Sequence, residues 1–70
     1  MTIEERRAAS RKRTENRQSA ESFLKEGIRL QQGDRDFARL NFRLAEQCFV
    51  EAGDFWNAHV ARRWVSLVEL

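Results

Sequence analysis

Proline is absent from this 70-residue chain, glycine occurs three times and cysteine once. Few helix breakers fit an all-helical fold. A single cysteine, Cys48, excludes an internal disulfide and points to a reducing cytoplasm. No apolar run approaches the roughly 18 residues of a membrane span. The opening residues, Met1-Thr2-Ile3-Glu4-Glu5-Arg6-Arg7, carry charge where a signal peptide needs its apolar core, so a cytoplasmic protein is expected. Glycine-rich phosphate loops are missing as well.

What remains is a composition of 41% hydrophobic and 34% charged residues with a net charge of +2, enough for one small domain. The charge is unevenly placed. Residues 1–18 hold six bases (Arg6, Arg7, Arg11, Lys12, Arg13, Arg17) against three acids, whereas residues 19–70 hold seven bases and eight acids. The first 18 residues also lack apolar side chains beyond Ile3, Ala8 and Ala9, too few to offset the entropy of ordering the backbone. They read as a basic arm, flexible or helical. Good helix formers and a Thr2-x-x-Glu5 capping box predict a frayed helix that extends the first core helix when something holds it.

Gly33-Asp34 and Gly53-Asp54 each close one apolar helical stretch and open another. The spacing predicts a left-handed glycine ending each helix and an aspartate capping the next. It gives three helices, about 19–32, 35–52 and 55–69, forming one domain over 19–70: a helical hairpin plus one helix.

In the first helix Phe23, Leu24, Ile28 and Leu30 share a side, with Gly27 near its middle. A glycine there costs about 1 kcal/mol relative to alanine, so close approach of a neighbouring helix is the expected compensation. The second helix has the widest apolar arc, formed by Phe37, Ala38, Leu40, Phe42, Leu44, Ala45, Cys48, Phe49 and Ala52. That breadth predicts a central helix gripped from two sides. Asn41 points into the arc, either as a buried amide satisfying backbone groups between helices or as a polar contact to a partner. Arg35, Arg39 and Arg43 line the opposite face, with Glu46 expected to pair with Arg43.

The third helix places Trp56, Val60, Ala61, Trp64, Val65, Leu67 and Val68 on one face and His59, Arg62, Arg63, Ser66 and Glu69 on the other. This is more apolar surface than the last helix of so small a body readily covers, and a homodimer or an obligate partner is expected. Trp56, Val60, Trp64 and Leu67 are the candidate partner-binding residues. The alternative is that both tryptophans are core or homodimer contacts.

Catalysis and metal binding find no support in the residue pattern. The helical phases of Cys48 and His59 point them apart, with no third group to orient a base, so no enzyme activity is expected. One Cys and one His without companions at ligand spacing make no metal site, and no cofactor is implied. Nucleic-acid binding has some footing. Arg11, Lys12 and Arg13 could neutralise phosphates and Arg35, Arg39 and Arg43 could add a second track, but no aromatic is interleaved among them for base stacking. As guides for a protein partner, the same two groups would act electrostatically.

Gly33-Asp34, Ala38, Phe42 and Ala45 match the second-helix pattern of tetratricopeptide-type repeats, which residues 23–56 resemble in helical packing. The fold expected is therefore an all-α, three-helix, TPR-like mini-domain with a basic N-terminal arm. The same stretch is similar to the ANR family, the AraC negative regulators of bacteria and phages. The likeness rests on Gly33 followed by Phe37-Ala38, on Phe42 followed by Ala45, and on Asn57 ahead of a helix bearing Arg63 and Trp64. Phe42 stands where that family has tryptophan, the Ala45–Asn57 segment is longer, and a cysteine near the C-terminus is missing. The resemblance implies a non-catalytic negative regulator that binds an AraC-type transcription activator and blocks its dimerisation or DNA contact. A small nucleic-acid-binding accessory protein using the arm, and a structural subunit of a larger assembly, are the alternatives.

Overall fold

A computed structural model describes residues 2–69. Three helices, α1 (Ile3–Leu30), α2 (Arg35–Glu51) and α3 (Phe55–Glu69), follow one another through two short turns, with no strand among the described residues. The all-α hairpin with a third helix is the architecture that the apolar periodicity predicts.

The arm and the first core helix are one continuous element. Thr2 opens α1 in extended conformation, and its Oγ1 accepts the Glu5 amide at 3.1 Å. Glu4 and Glu5 in the first turn suit the positive end of the helix dipole. A helix of 28 residues rises about 42 Å, whereas the 17 residues of α2 rise about 25 Å. The difference is an overhang, and it explains a molecule 47 Å long and only 16 by 12 Å across.

The two Gly-Asp turns differ, which corrects the expectation of a left-handed glycine at each. After α2, Gly53 has a φ of 76°, and its amide donates to the Val50 carbonyl while that of Asp54 donates to Phe49. This is the paired pattern of a Schellman turn. The first helix stops at Leu30 rather than at residue 32, and Gly33 keeps a negative φ. Its exit is closed by the Gly33 and Asp34 amides, both donating to the Leu30 carbonyl at 3.0 and 2.8 Å, so no left-handed residue is needed. Both aspartates cap as expected: Asp34 Oδ1 accepts from the Phe37 amide at 3.1 Å and Asp54 Oδ1 from the Asn57 amide at 3.2 Å.

Helix α2 packs against both α1 and α3. Ala20, Ala45, Phe49, Ala58 and Ala61 form one core cluster across all three helices, and Ala38, Phe42 and Val65 form a second that Leu24, Leu30, Trp64 and Val68 flank. Alanines at the crossings let backbones approach while two phenylalanines, Phe42 and Phe49, fill the space between. Gly27 does what its position predicts: a Cβ there would lie 2.6 Å from the Phe42 ring.

The broad α2 arc is covered unevenly: Ala38, Phe42, Ala45, Phe49 and the following Ala52 are buried, and Leu44 and Cys48 are half-buried. Phe37 and Leu40 remain 57% and 50% exposed. Asn41 is half-buried and its Nδ2 donates to the Phe37 carbonyl at 2.8 Å, so the amide serves its own helix and does not bridge two.

Candidate functional site

The start of α3 is held through Asp54, which contacts Asn57 on α3 and Arg17 on α1. Besides capping Asn57, Asp54 accepts from Asn57 Nδ2 at 2.6 Å and lies 3.6 Å from Arg17 Nε on α1. These contacts, the Asn57 side chain foremost and Arg17 beyond it, hold the Asp54 carboxyl below the usual range. Further along, Arg43 Nη2 meets Glu69 Oε1 at 3.2 Å and ties α2 to the far end of α3.

On this braced helix, Ala58, Ala61 and Val65 turn inward. Trp56, Val60, Trp64 and Leu67 recur at helical spacing along the other side. Trp56 is 75% exposed and Leu67 56% exposed, while Val60 and Trp64 are half-buried. Trp64 belongs to both surface and core, because its ring stacks on Phe42 with centroids 5.4 Å apart and planes 20° from parallel. Among the described residues Trp56 has no such stacked partner; its ring lies near that of His59, centroids 6.4 Å apart. The reading in which both indoles are core contacts therefore fails for Trp56.

Val60, Trp64 and Leu67 line a shallow hollow of about 220 Å³ together with Arg63. Arg63 was expected on the opposite, polar face. It sits instead at the margin of the strip, since three residues from Val60 and four from Leu67 is one turn in either direction. The spacing itself carried that signal, because Arg63 is flanked by strip residues at i−3 and i+4.

The basic residues do not form a single track. Arg11, Lys12 and Arg13 are exposed on the α1 overhang, where Lys12 and Arg13 face Glu51 at the end of α2. Arg35 lies at the other end of that helix. Arg39 pairs with Asp36 at 3.7 Å, and Arg43 pairs with Glu69 rather than with Glu46, because α3 brings a carboxylate alongside. Part of the row thus serves the fold.

Cys48 is half-buried against the Ala20–Phe49 cluster, and His59 is exposed on α3. Burial, assisted by the Glu51 carboxylate, pushes the Cys48 thiol up, away from the reactive thiolate. Among the described residues no three His, Cys, Asp or Glu side chains gather as a metal-binding group, and no helix is long and apolar enough to cross a membrane. Phe37 and Leu40 on α2 and Ile28 on α1 are exposed, although their helical phase predicts them on inward-facing apolar sides. Comparison of the chain with protein-family models, with curated proteins and with solved structures finds no match.

Proposed function

We propose that this chain is a non-catalytic regulatory protein of the bacterial or phage-infected cytoplasm that docks another protein on the outer face of α3. The resemblance to AraC negative regulators makes a transcription activator the partner class, with its dimerisation or DNA contact as the step blocked. One observation carries the reading: Trp56, Val60, Trp64 and Leu67 align on a helix braced at both ends, with Trp56 and Leu67 open to solvent. Exposed aromatic and aliphatic side chains on a rigid element are the usual anchors of a helical docking face.

The test is a reporter assay with an AraC-type activator and its promoter. Trp56→Ala combined with Leu67→Ala removes two solvent-exposed side chains, so the fold survives and repression is expected to fall at least about tenfold. Unchanged repression by this double variant, with repression lost on removal of residues 1–18 and a steep salt dependence of DNA binding, would move the function to the basic arm.

A further inference from the structure

The α3 strip also carries information about what covers it. We propose that its occupant is an amphipathic helix of a different protein, with Asp or Glu flanking its apolar anchors, and not a second copy of this chain; the inference rests on the docking role assigned to α3 above.

Length is the first argument. Trp56 to Leu67 spans three helical turns, about 17 Å, which matches three turns of a partner helix laid along the strip. Charge decides the rest. Arg63 lines the hollow with Val60, Trp64 and Leu67, and His59 stands one turn earlier beside Trp56. The acids closest in sequence are already engaged: Asp54 by Arg17 and Asn57, and Glu69 by Arg43. Among the described residues Arg63 is in no ion pair, and Arg62 faces away from the strip into the groove that Glu46, Glu51 and Glu69 also line. The strip therefore presents apolar anchors with an unneutralised cation at their margin.

A twofold pairing of two such strips is self-defeating. An isologous contact places each patch on itself, and because Arg63 lies near the middle of the Trp56–Leu67 span, the two guanidiniums would meet within about one helical turn. Like charges at the margin of an apolar contact oppose it, whereas a carboxylate on the incoming helix would satisfy Arg63 as the anchors are buried.

The two tryptophans, the only ones in the chain, both lie in the strip, so their emission reports its occupancy directly. The probes are two tryptophan-free synthetic peptides of about 15 residues with the same Leu/Phe face at i, i+3, i+4 and i+7, one flanked by Glu and the other by Lys. The Glu-flanked peptide is expected to shift the emission to the blue and to bind at least about tenfold more tightly than the Lys-flanked one, a gap that narrows as salt is raised. Arg63→Glu should reverse the preference, and Lys25→Gln, on the exposed side of α1, should leave it intact.

Equal binding of the two peptides, or a preference that survives Arg63→Glu, overturns the proposal. So does a blue shift that grows with the concentration of the chain alone, accompanied by a dimer in sedimentation that Trp56→Ala dissolves, since the occupant would then be a second copy. If neither peptide binds while Trp56→Ala with Leu67→Ala still abolishes repression, the acidic-helix chemistry falls and the docking face stands. If that double variant represses normally, the docking face falls with it.

Discussion

A methyl group added at Gly27 would press on the Phe42 ring at 2.6 Å, and the ring has little room to yield, being fully buried and stacked on Trp64. Alanine would raise helix propensity by about 1 kcal/mol, but overpacking a filled core costs roughly 1–3 kcal/mol, so the clash wins. Gly27→Ala is expected to lower the urea midpoint, and the second change Phe42→Leu should recover part of the loss by making space. A recovery of zero would place the cost elsewhere than in this contact. Glycine at 33 and at 53 separates the same way by local geometry. Gly53 sits at a φ of 76°, where an L side chain is strained by about 1–2 kcal/mol, and Gly53→Ala should destabilise by that order. Gly33 has a negative φ and open space around it, so Gly33→Ala should be neutral or stabilising by up to about 1 kcal/mol. Chemical denaturation of the two variants side by side measures the difference.

At the scale of the element, the aspartate that opens α3 joins that helix to α1. Its carboxyl is held below the ordinary value by Asn57 and Arg17, so the folded state prefers it ionised more than the unfolded state does. The associated stability is present above about pH 5, where the unfolded carboxyl is also ionised, and is lost on acidification through the lower folded value. Asp54→Ala is expected to cost about 1 kcal/mol near neutral pH through the lost cap, with a smaller penalty in acid, as thermal melts across that range would show. Helices, caps and the central place of α2 were legible because each depends on neighbours in sequence: the 3.6-residue period, Thr2, Asp34 and Asp54. The unequal turns were not, since Gly33-Asp34 and Gly53-Asp54 are the same dipeptide and only the hydrogen bonds behind them differ. Partners across helices were equally hidden. Glu46 lay at the right spacing for Arg43, but a long-range carboxylate, Glu69, took its place. In the candidate site, the period gave the strip of Trp56, Val60, Trp64 and Leu67, while the anchoring of Trp64 on Phe42 and the exposure of Phe37 and Leu40 needed the packing of whole helices to appear.

Across the whole molecule the mass is lopsided: a three-helix body at one end and a single basic helix projecting from the other. From Thr2 to Glu15 every side chain except Ala9 is exposed, so almost nothing but the backbone ladder holds this stretch. Isolated helices of about 12–15 residues are marginal in water, because nucleation is costly. Here the body supplies the nucleus, and the overhang only has to propagate from it, which leaves it ordered near Arg17 and progressively frayed toward Thr2. Amide hydrogen exchange should record that gradient. Protection is expected to be on the order of tenfold or less at residues 6–10, to climb through residues 13–20, and to reach the global unfolding limit at Phe42–Phe49 in the core. Removal of residues 1–8 should accordingly reduce helical ellipticity yet leave the unfolding free energy of the body within about 0.5 kcal/mol. Uniformly strong protection along α1 would mean that the overhang is covered by something, and its concentration dependence would tell whether that cover is another copy of the chain.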